Sequence, residues 1–102
     1  MSEEYLNLIR QFNAFNVKRI GVLKPAAIAI YIALLDVANR AGNHAGLRQT
    51  VAVDNDRLMR LAGIANKKTL GEHRRALVAN RFIDYKKGGR GTPGTYTLLR
   101  LY

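Results

Sequence analysis

Apolar side chains recur at helical spacing near the start of the chain. Within residues 3–16 they are Tyr5, Leu8, Ile9, Phe12 and Phe15. This spacing predicts an amphipathic helix, with Ser2 as a candidate N-cap. A second helix is predicted over residues 25–42, because Pro25 suits a first turn and Gly42 suits a helix end. Its early part is apolar on every face, which is typical of a central helix covered from several sides.

The pattern after residue 50 predicts a helix-turn-helix over residues 55–80. Residues 50–53 are a short strand candidate, and Asp54 or Asn55 can cap the short helix that follows. Gly63 suits the end of that helix, and three residues then lead into a second helix over residues 67–80. Two short helices joined by a tight turn define this motif.

Two further segments are rich in aromatic and branched residues and predict a wing hairpin over residues 82–101. The strands are expected at 82–87 and 95–101, with a glycine-rich loop that carries Arg90 between them. The order of elements predicts one domain over residues 1–102. Its fold class is mainly α with a small β-hairpin, a winged helix-turn-helix with an extra N-terminal helix.

The periodicity of the second helix of the motif separates an inner from an outer face. Taking Leu70 as the inward direction places His73, Arg74, Leu77 and Arg81 on the same side. The residues pointing the opposite way are Lys68, Glu72, Arg75 and Ala79. The residues expected to be buried in the core are Leu35, Leu61, Leu70 and Leu77.

Charge is the unusual feature of the composition. The 102 residues carry 17 lysines and arginines against 7 acidic residues, a formal net charge of +10. Twelve of the basic residues but only four of the acidic ones lie in residues 47–102. A single domain this basic is typical of proteins that bind polyanions. The second half is therefore expected to form the binding surface.

The start of the second motif helix and the wing are the expected DNA-binding surface. Helix-turn-helix proteins place the N-terminal part of this helix in the major groove, and a basic loop can follow the phosphate backbone or enter a minor groove. Gly71 is unfavourable inside a helix, which suggests a close approach by a ligand. The predicted DNA-binding residues are Lys67, Lys68, Thr69, Gly71, Arg74, Arg75, Lys86, Lys87 and Arg90.

Other chemistry finds little support in the sequence. There is no cysteine, and neither His44 nor His73 has a partner at metal-ligand spacing. Asp54 and Asp56 resemble the start of a calcium loop, but Leu58 occupies the next ligand position. With no nucleophile–base pair, we expect a protein without enzymatic activity, metal or cofactor. The acidic N-terminus and the absence of a long apolar run predict a cytoplasmic protein that does not bind membranes.

Several of these segments together resemble a known family. They are residues 51–64, 67–70, 77–78 and 81–88, with 5–15 and 29–35 in the first half. The chain resembles the N-terminal winged-helix domain of DnaD-like replication-initiation and phage or plasmid replisome-organiser proteins. The resemblance implies double-stranded DNA binding, and self-association through the N-terminal helix as a dimer or higher oligomer. Helicase-loading partners are expected only if the family's second, C-terminal domain follows residue 102.

Two alternatives remain open at the level of sequence. The same fold and charge would serve a winged-helix transcriptional regulator. The domain could also be an oligomerisation or partner-docking module whose basic face is incidental. RNA binding is less favoured, because no aromatic platform alternates with the basic residues.

Overall fold

The computed structural model describes residues 5–102, in which the chain forms four helices and five short strands. The helices are α1 (Leu8–Lys18), α2 (Pro25–Ala41), α3 (Asn55–Ala62) and α4 (Lys67–Ala79). The strands are β1 (Tyr5–Leu6), β2 (Leu47–Arg48), β3 (Thr50–Val53), β4 (Ile83–Lys86) and β5 (Gly94–Leu98). In these residues β1 pairs with β2, and a second antiparallel sheet has the order β3-β5-β4. The predicted winged helix-turn-helix, mainly α with a small β wing, is confirmed.

The first helix begins later than predicted. Tyr5 and Leu6 form a strand opposite Arg48 and Leu47 instead of a first helical turn. Asn7 is the N-cap, and its Oδ1 accepts a hydrogen bond from the Arg10 amide at 2.9 Å. The helix predicted over residues 3–16 is therefore wrong at its start, because Asn7 caps the first helix amides and Leu6 is buried in the strand pair. Ser2 lies outside the described residues.

The central helix α2 is covered from several sides, as its all-apolar surface predicts. Helices α3 and α4 and strands β2 and β3 all contact it. Its buried residues include Ile30, Tyr31, Leu34 and Leu35. Pro25 lies in its first turn and Gly42 is its C-cap. None of the helices in residues 5–102 is both long and apolar enough to cross a bilayer.

An aromatic cluster and one buried amide attach α1 to this core. The rings of Phe15 and Tyr31 stack at a centroid distance of 3.9 Å, and Phe82 meets both rings edge-on. The fully buried Gln11 donates from Nε2 to the Tyr31 hydroxyl at 2.7 Å and to the Leu99 carbonyl at 2.8 Å. Buried polar groups need such partners, so this amide fixes the register of α1 on α2.

The two wing strands are shorter than predicted. The first spans Ile83–Lys86 and the second ends at Leu98, so residues 99–101 are not a strand. The Leu99 amide donates to the Phe82 carbonyl, and the Leu101 amide donates to Gln11 Oε1. These contacts with a loop and with α1 replace the strand pairing that the apolar pattern of residues 95–101 predicts.

Three of the four predicted core leucines are buried. Leu35, Leu70 and Leu77 are at most 5% exposed, whereas Leu61 is 42% exposed, so its predicted burial is wrong. The inner face of α3 is formed by the buried Leu58 with the half-buried Met59 and Ala62. At about 100° per residue, Leu61 lies on the opposite side of Leu58 from Met59 and Ala62, at the edge of that face.

Burial raises the pKa of Tyr31 from its ordinary value of 10.0 to about 12, an effect that the hydrogen bond from Gln11 partly offsets. The folded protein thus keeps the proton of the Tyr31 hydroxyl over a pH range in which the unfolded chain releases it. Stability from this group is complete below pH 10 and is lost as the pH rises towards 12. We expect Tyr31→Phe to remove about 2–3 kcal/mol of the alkaline loss in unfolding free energy, measured by urea denaturation between pH 9 and 12. An unchanged pH slope would contradict this assignment.

Candidate nucleic-acid interface

The start of α4 is an open, positively charged helix end. Asn66 is its N-cap, and its Oδ1 accepts a hydrogen bond from the Thr69 amide at 2.8 Å. The first amides of a helix have no partner within it, so those of Lys67 and Lys68 remain for a ligand. Both side chains are exposed, and Thr69 is half-buried. The free amides, the helix dipole and the two lysine side chains together favour the binding of an anion at the start of α4.

The outer face of α4 is the one that the periodicity predicts. Lys68, Glu72, Arg75 and Ala79 are exposed, while Leu70 and Leu77 are fully buried. The predicted phase of the helix is therefore confirmed. His73 is half-buried on the flank. Arg81 lies beyond the end of the helix and is exposed, so its predicted inward position is wrong, because the helical periodicity stops at Ala79.

Nothing within the described residues requires a glycine at position 71. A Cβ added there would meet only the Arg75 side chain, with Nη1 at 3.5 Å, which is an ordinary contact. Its backbone is helical and α4 is continuous around it. The missing side chain therefore leaves a shallow place on the outer face between Lys68 and Arg75.

Arg74 is used inside the protein. Its Nη1 donates to Asn55 Oδ1 and to the Tyr96 hydroxyl, both at 2.9 Å, and its guanidinium lies 4.2 Å from the ring centroid of Tyr85. Tyr96 is fully buried, and burial raises its pKa while Arg74 lowers it. Arg74 thus links α3, α4, β4 and β5 from a half-buried position.

The loop of the wing, residues 87–93 (the wing loop), has a defined backbone. The Thr92 amide donates to the Gly89 carbonyl at 3.1 Å, and Gly91 has a φ of +72°, so Arg90 stands exposed in a tight turn. At Gly88 a Cβ would collide with the Thr92 carbonyl oxygen. The loop therefore holds one long cation at its tip among small residues.

Two cavities show which predicted residues lie together. Gly71, Arg74 and Arg75 line a groove of about 480 Å³ between α4 and β4. Arg74 and Lys87 line another of about 430 Å³ between the start of α3 and the wing loop. Lys86 is different, because it alternates with the inward-facing Tyr85 and is exposed on the outer face of the sheet.

The residues that hold Arg74 are the part of this surface that sequence reasoning misses. Asn55 and Tyr96 are 19 and 22 positions away from it, so no local pattern connects them. Sequence reasoning places Arg74 among the DNA contacts because it is basic and lies in the motif. In residues 5–102 no three histidine, aspartate or glutamate side chains form a group that could hold a metal ion.

Comparison with known proteins shows that other solved structures share this fold. Two solved structures superpose on 99% of the chain. One is a Rep–DNA complex, with a TM-score of 0.60, 15% sequence identity and 78% of that chain covered. The other is the N-terminal domain of a DNA-binding protein, with a TM-score of 0.56, 16% identity and 86% of that chain covered. No family model and no curated protein sequence matches the chain.

We expect Arg74→Ala to act on stability more than on a ligand surface. The change removes two charged hydrogen bonds and a cation–π contact, and it leaves the half-buried Asn55 and the buried Tyr96 hydroxyl without this donor. A loss of about 2–4 kcal/mol in unfolding free energy should follow, measured by urea denaturation. Arg74→Lys keeps the charge but not the paired geometry, and should recover less than half of the loss. A loss below about 0.5 kcal/mol would show that these contacts contribute little.

Gly71→Ala should separate folding from binding. The space is open and the backbone helical, so alanine should raise the unfolding free energy by about 0.5–1 kcal/mol. If DNA approaches the helix at this point, the same variant should bind duplex DNA more weakly despite being more stable. Thermal denaturation and fluorescence anisotropy on one preparation measure both. Unchanged DNA affinity would mean that no ligand comes close to Gly71.

Proposed function

We propose that this domain binds double-stranded DNA, as part of a replication-initiation protein of a phage, plasmid or bacterium. The observation that carries the proposal is the capped, open N-terminus of α4, where two exposed lysines stand next to free helix amides. In a winged helix-turn-helix this helix end enters the major groove. The domain acts by binding, in the cytoplasm, without a catalytic step or a cofactor.

The roles of the individual side chains follow from their positions. Lys67, Thr69 and the first amides of α4 contact a phosphate, while Lys68 and Arg75 project from the outer face towards base edges. Arg90 and Lys87 on the wing loop contact the backbone or a minor groove. Lys86 adds a weaker contact from the outer face of the sheet. Arg74 positions α4 against the wing.

Two observations favour replication over transcriptional regulation. One of the structures with this fold is a Rep–DNA complex. Independently, the segments of the helix-turn-helix and wing resemble DnaD-like replication proteins. A transcriptional regulator remains the alternative, because its docking would use the same helix and loop. Helicase loading would require the second domain that the family carries.

Self-association through α1 is a second part of the proposal. This helix exposes Ile9, Phe12 and Val17, with Ile9 67% and Val17 71% exposed. Apolar side chains of this size in one region mark an interaction surface. A module that carries this apolar helix in addition to its DNA-binding helix would suit an organiser that assembles along DNA.

Duplex DNA binding can be tested by fluorescence anisotropy over a range of salt concentrations. If five or six of the exposed basic residues contact phosphates, log K should fall with log salt with a slope of about −5. Affinity should be weak for one small module. A slope near zero, or no binding at low salt, would remove this function and favour the partner-docking module.

The contributions of helix and wing can be separated with two matched variants, each of which removes one exposed arginine. Arg75→Ala should cost about 1–3 kcal/mol on a preferred duplex and reduce the preference over a scrambled one. Arg90→Ala should weaken both duplexes equally and make the salt slope less negative by about 1. If instead Arg90→Ala reduces the preference between duplexes and Arg75→Ala does not, the wing reads the base sequence. Equal losses of affinity on both duplexes for both variants would indicate a non-specific DNA binder.

A further inference from the structure

Three basic side chains lie together at the end of the domain away from the start of α4. Lys18, Arg81 and Arg100 line one open cavity of about 370 Å³, and its lining within residues 5–102 contains no carboxylate side chain. All three are exposed. None forms an ion pair with a carboxylate of residues 5–102, where Arg40 and Asp36 are the paired residues. We call these three residues the distal basic cluster.

The backbone of Arg81 is the unusual feature of this cluster. Its φ is +67°, a left-handed conformation that glycine adopts freely and an L-residue does not. The Arg81 amide donates to the Val78 carbonyl, and the Phe82 amide donates to the Leu77 carbonyl at 3.0 Å. This is the helix-ending arrangement that commonly has glycine at the position of Arg81. The chain therefore accepts strain to place a cation here, and such strain clusters at functional sites.

Helix dipoles account for only part of the cluster. Lys18 lies in the last turn of α1 and Arg81 follows α4, so both cations suit helix C-termini. Arg100 belongs to neither helix. Its guanidinium lies 4.9 Å from the ring centroid of Tyr102. The Tyr102 hydroxyl in turn accepts a hydrogen bond from the Asn7 amide at 2.8 Å. Three cations from three segments repel one another, and a bound anion relieves that repulsion.

The distal basic cluster and the start of α4 lie at opposite ends of the module. With 13 residues, α4 is about 20 Å long, and Arg81 lies beyond its far end. Strand β4 then runs back along α4, since Tyr85 contacts Arg74, and carries the wing loop away from the cluster. A straight duplex that contacts both the start of α4 and the wing loop therefore does not reach Arg81 and Arg100.

We propose that the distal basic cluster binds the phosphate backbone of a second DNA duplex, so that one module bridges two duplexes. Arginine recognises phosphate through paired N–H donors, and the cluster offers two arginines and a lysine around one opening. The inference rests on the proposed function for its first duplex. The second contact uses none of the residues assigned to the first.

The number of duplexes bound per chain tests the proposal. Titration of the protein with a duplex of about one helical turn, followed by calorimetry and analytical ultracentrifugation, should give two duplexes per chain. A bead-bound duplex should also capture a labelled free duplex only when protein is present. The test variant is Arg81→Gly/Arg100→Gln, in which glycine suits the φ of +67° and the fold should be preserved.

The matched control is Arg40→Gln/Arg48→Gln. It removes the same charge from two exposed arginines, which line a different cavity together with Arg57. The test variant should lose the second duplex, with capture reduced roughly 50-fold at 0.1 M salt for two phosphate contacts. Its affinity for the first duplex should change by less than about threefold. The control should capture normally.

Each other result has a defined meaning. One duplex per chain in the wild type, lost in Lys68→Ala/Arg75→Ala, would leave the proposed function intact and overturn the second site. Bridging that persists in the test variant would place the second duplex on a partner copy, and would also overturn it. Loss of bridging in the control would assign the Arg40 cavity instead. If the wild type binds no duplex, both proposals fail.

Discussion

The half-buried guanidinium of Arg74 fixes the geometry on which the proposed DNA-binding surface depends. A cation removed from water must be paired or hydrogen-bonded, and here it is satisfied by Asn55, Tyr96 and the ring of Tyr85. These three partners belong to α3, β5 and β4. The requirement therefore sets the position of the motif helices against the wing. If α4 moved by one turn, the cation would lose its partners, so outer face and wing loop move as one unit.

A second constraint holds the opposite end of the module. Gln11 joins α1 to α2 and to residues 99–101, and the stacked Phe15 and Tyr31 rings add apolar contact beside it. Because this amide is fully buried, each of its polar atoms needs its partner. The same contacts bring Arg100 towards the end of α1 and the end of α4. The distal cations are thus placed by the core, not by flexible segments.

Local rules of the sequence predict much of the fold and part of the site. Periodicity gives the phase of α4, and Gly63, with a φ of +72°, ends α3 as its type and position suggest. The exposure of Lys68, Arg75 and Arg90 follows from the same rules. The predictions that fail depend on residues distant in sequence. They concern the pairing of Tyr5 with Arg48, the end of β5, and the hydrogen bond from Arg74 to Tyr96. These contacts join residues far apart in sequence, where propensity carries no information.

Two positions near the ends of α4 contradict the preferences of the backbone. Gly71 stands inside a helix, where alanine would be more stable by about 1 kcal/mol, and the surrounding space would accept a methyl group. Arg81 stands at a left-handed position, where a side chain costs about 1–2 kcal/mol relative to glycine. A residue with a side chain at position 71 and a glycine at position 81 would each raise the unfolding free energy of the isolated domain. Neither departure is repaid by a contact within residues 5–102. Gly71 lacks a side chain on the outer face and Arg81 adds a cation at the distal end, so the two departures fall where the two proposed DNA contacts lie.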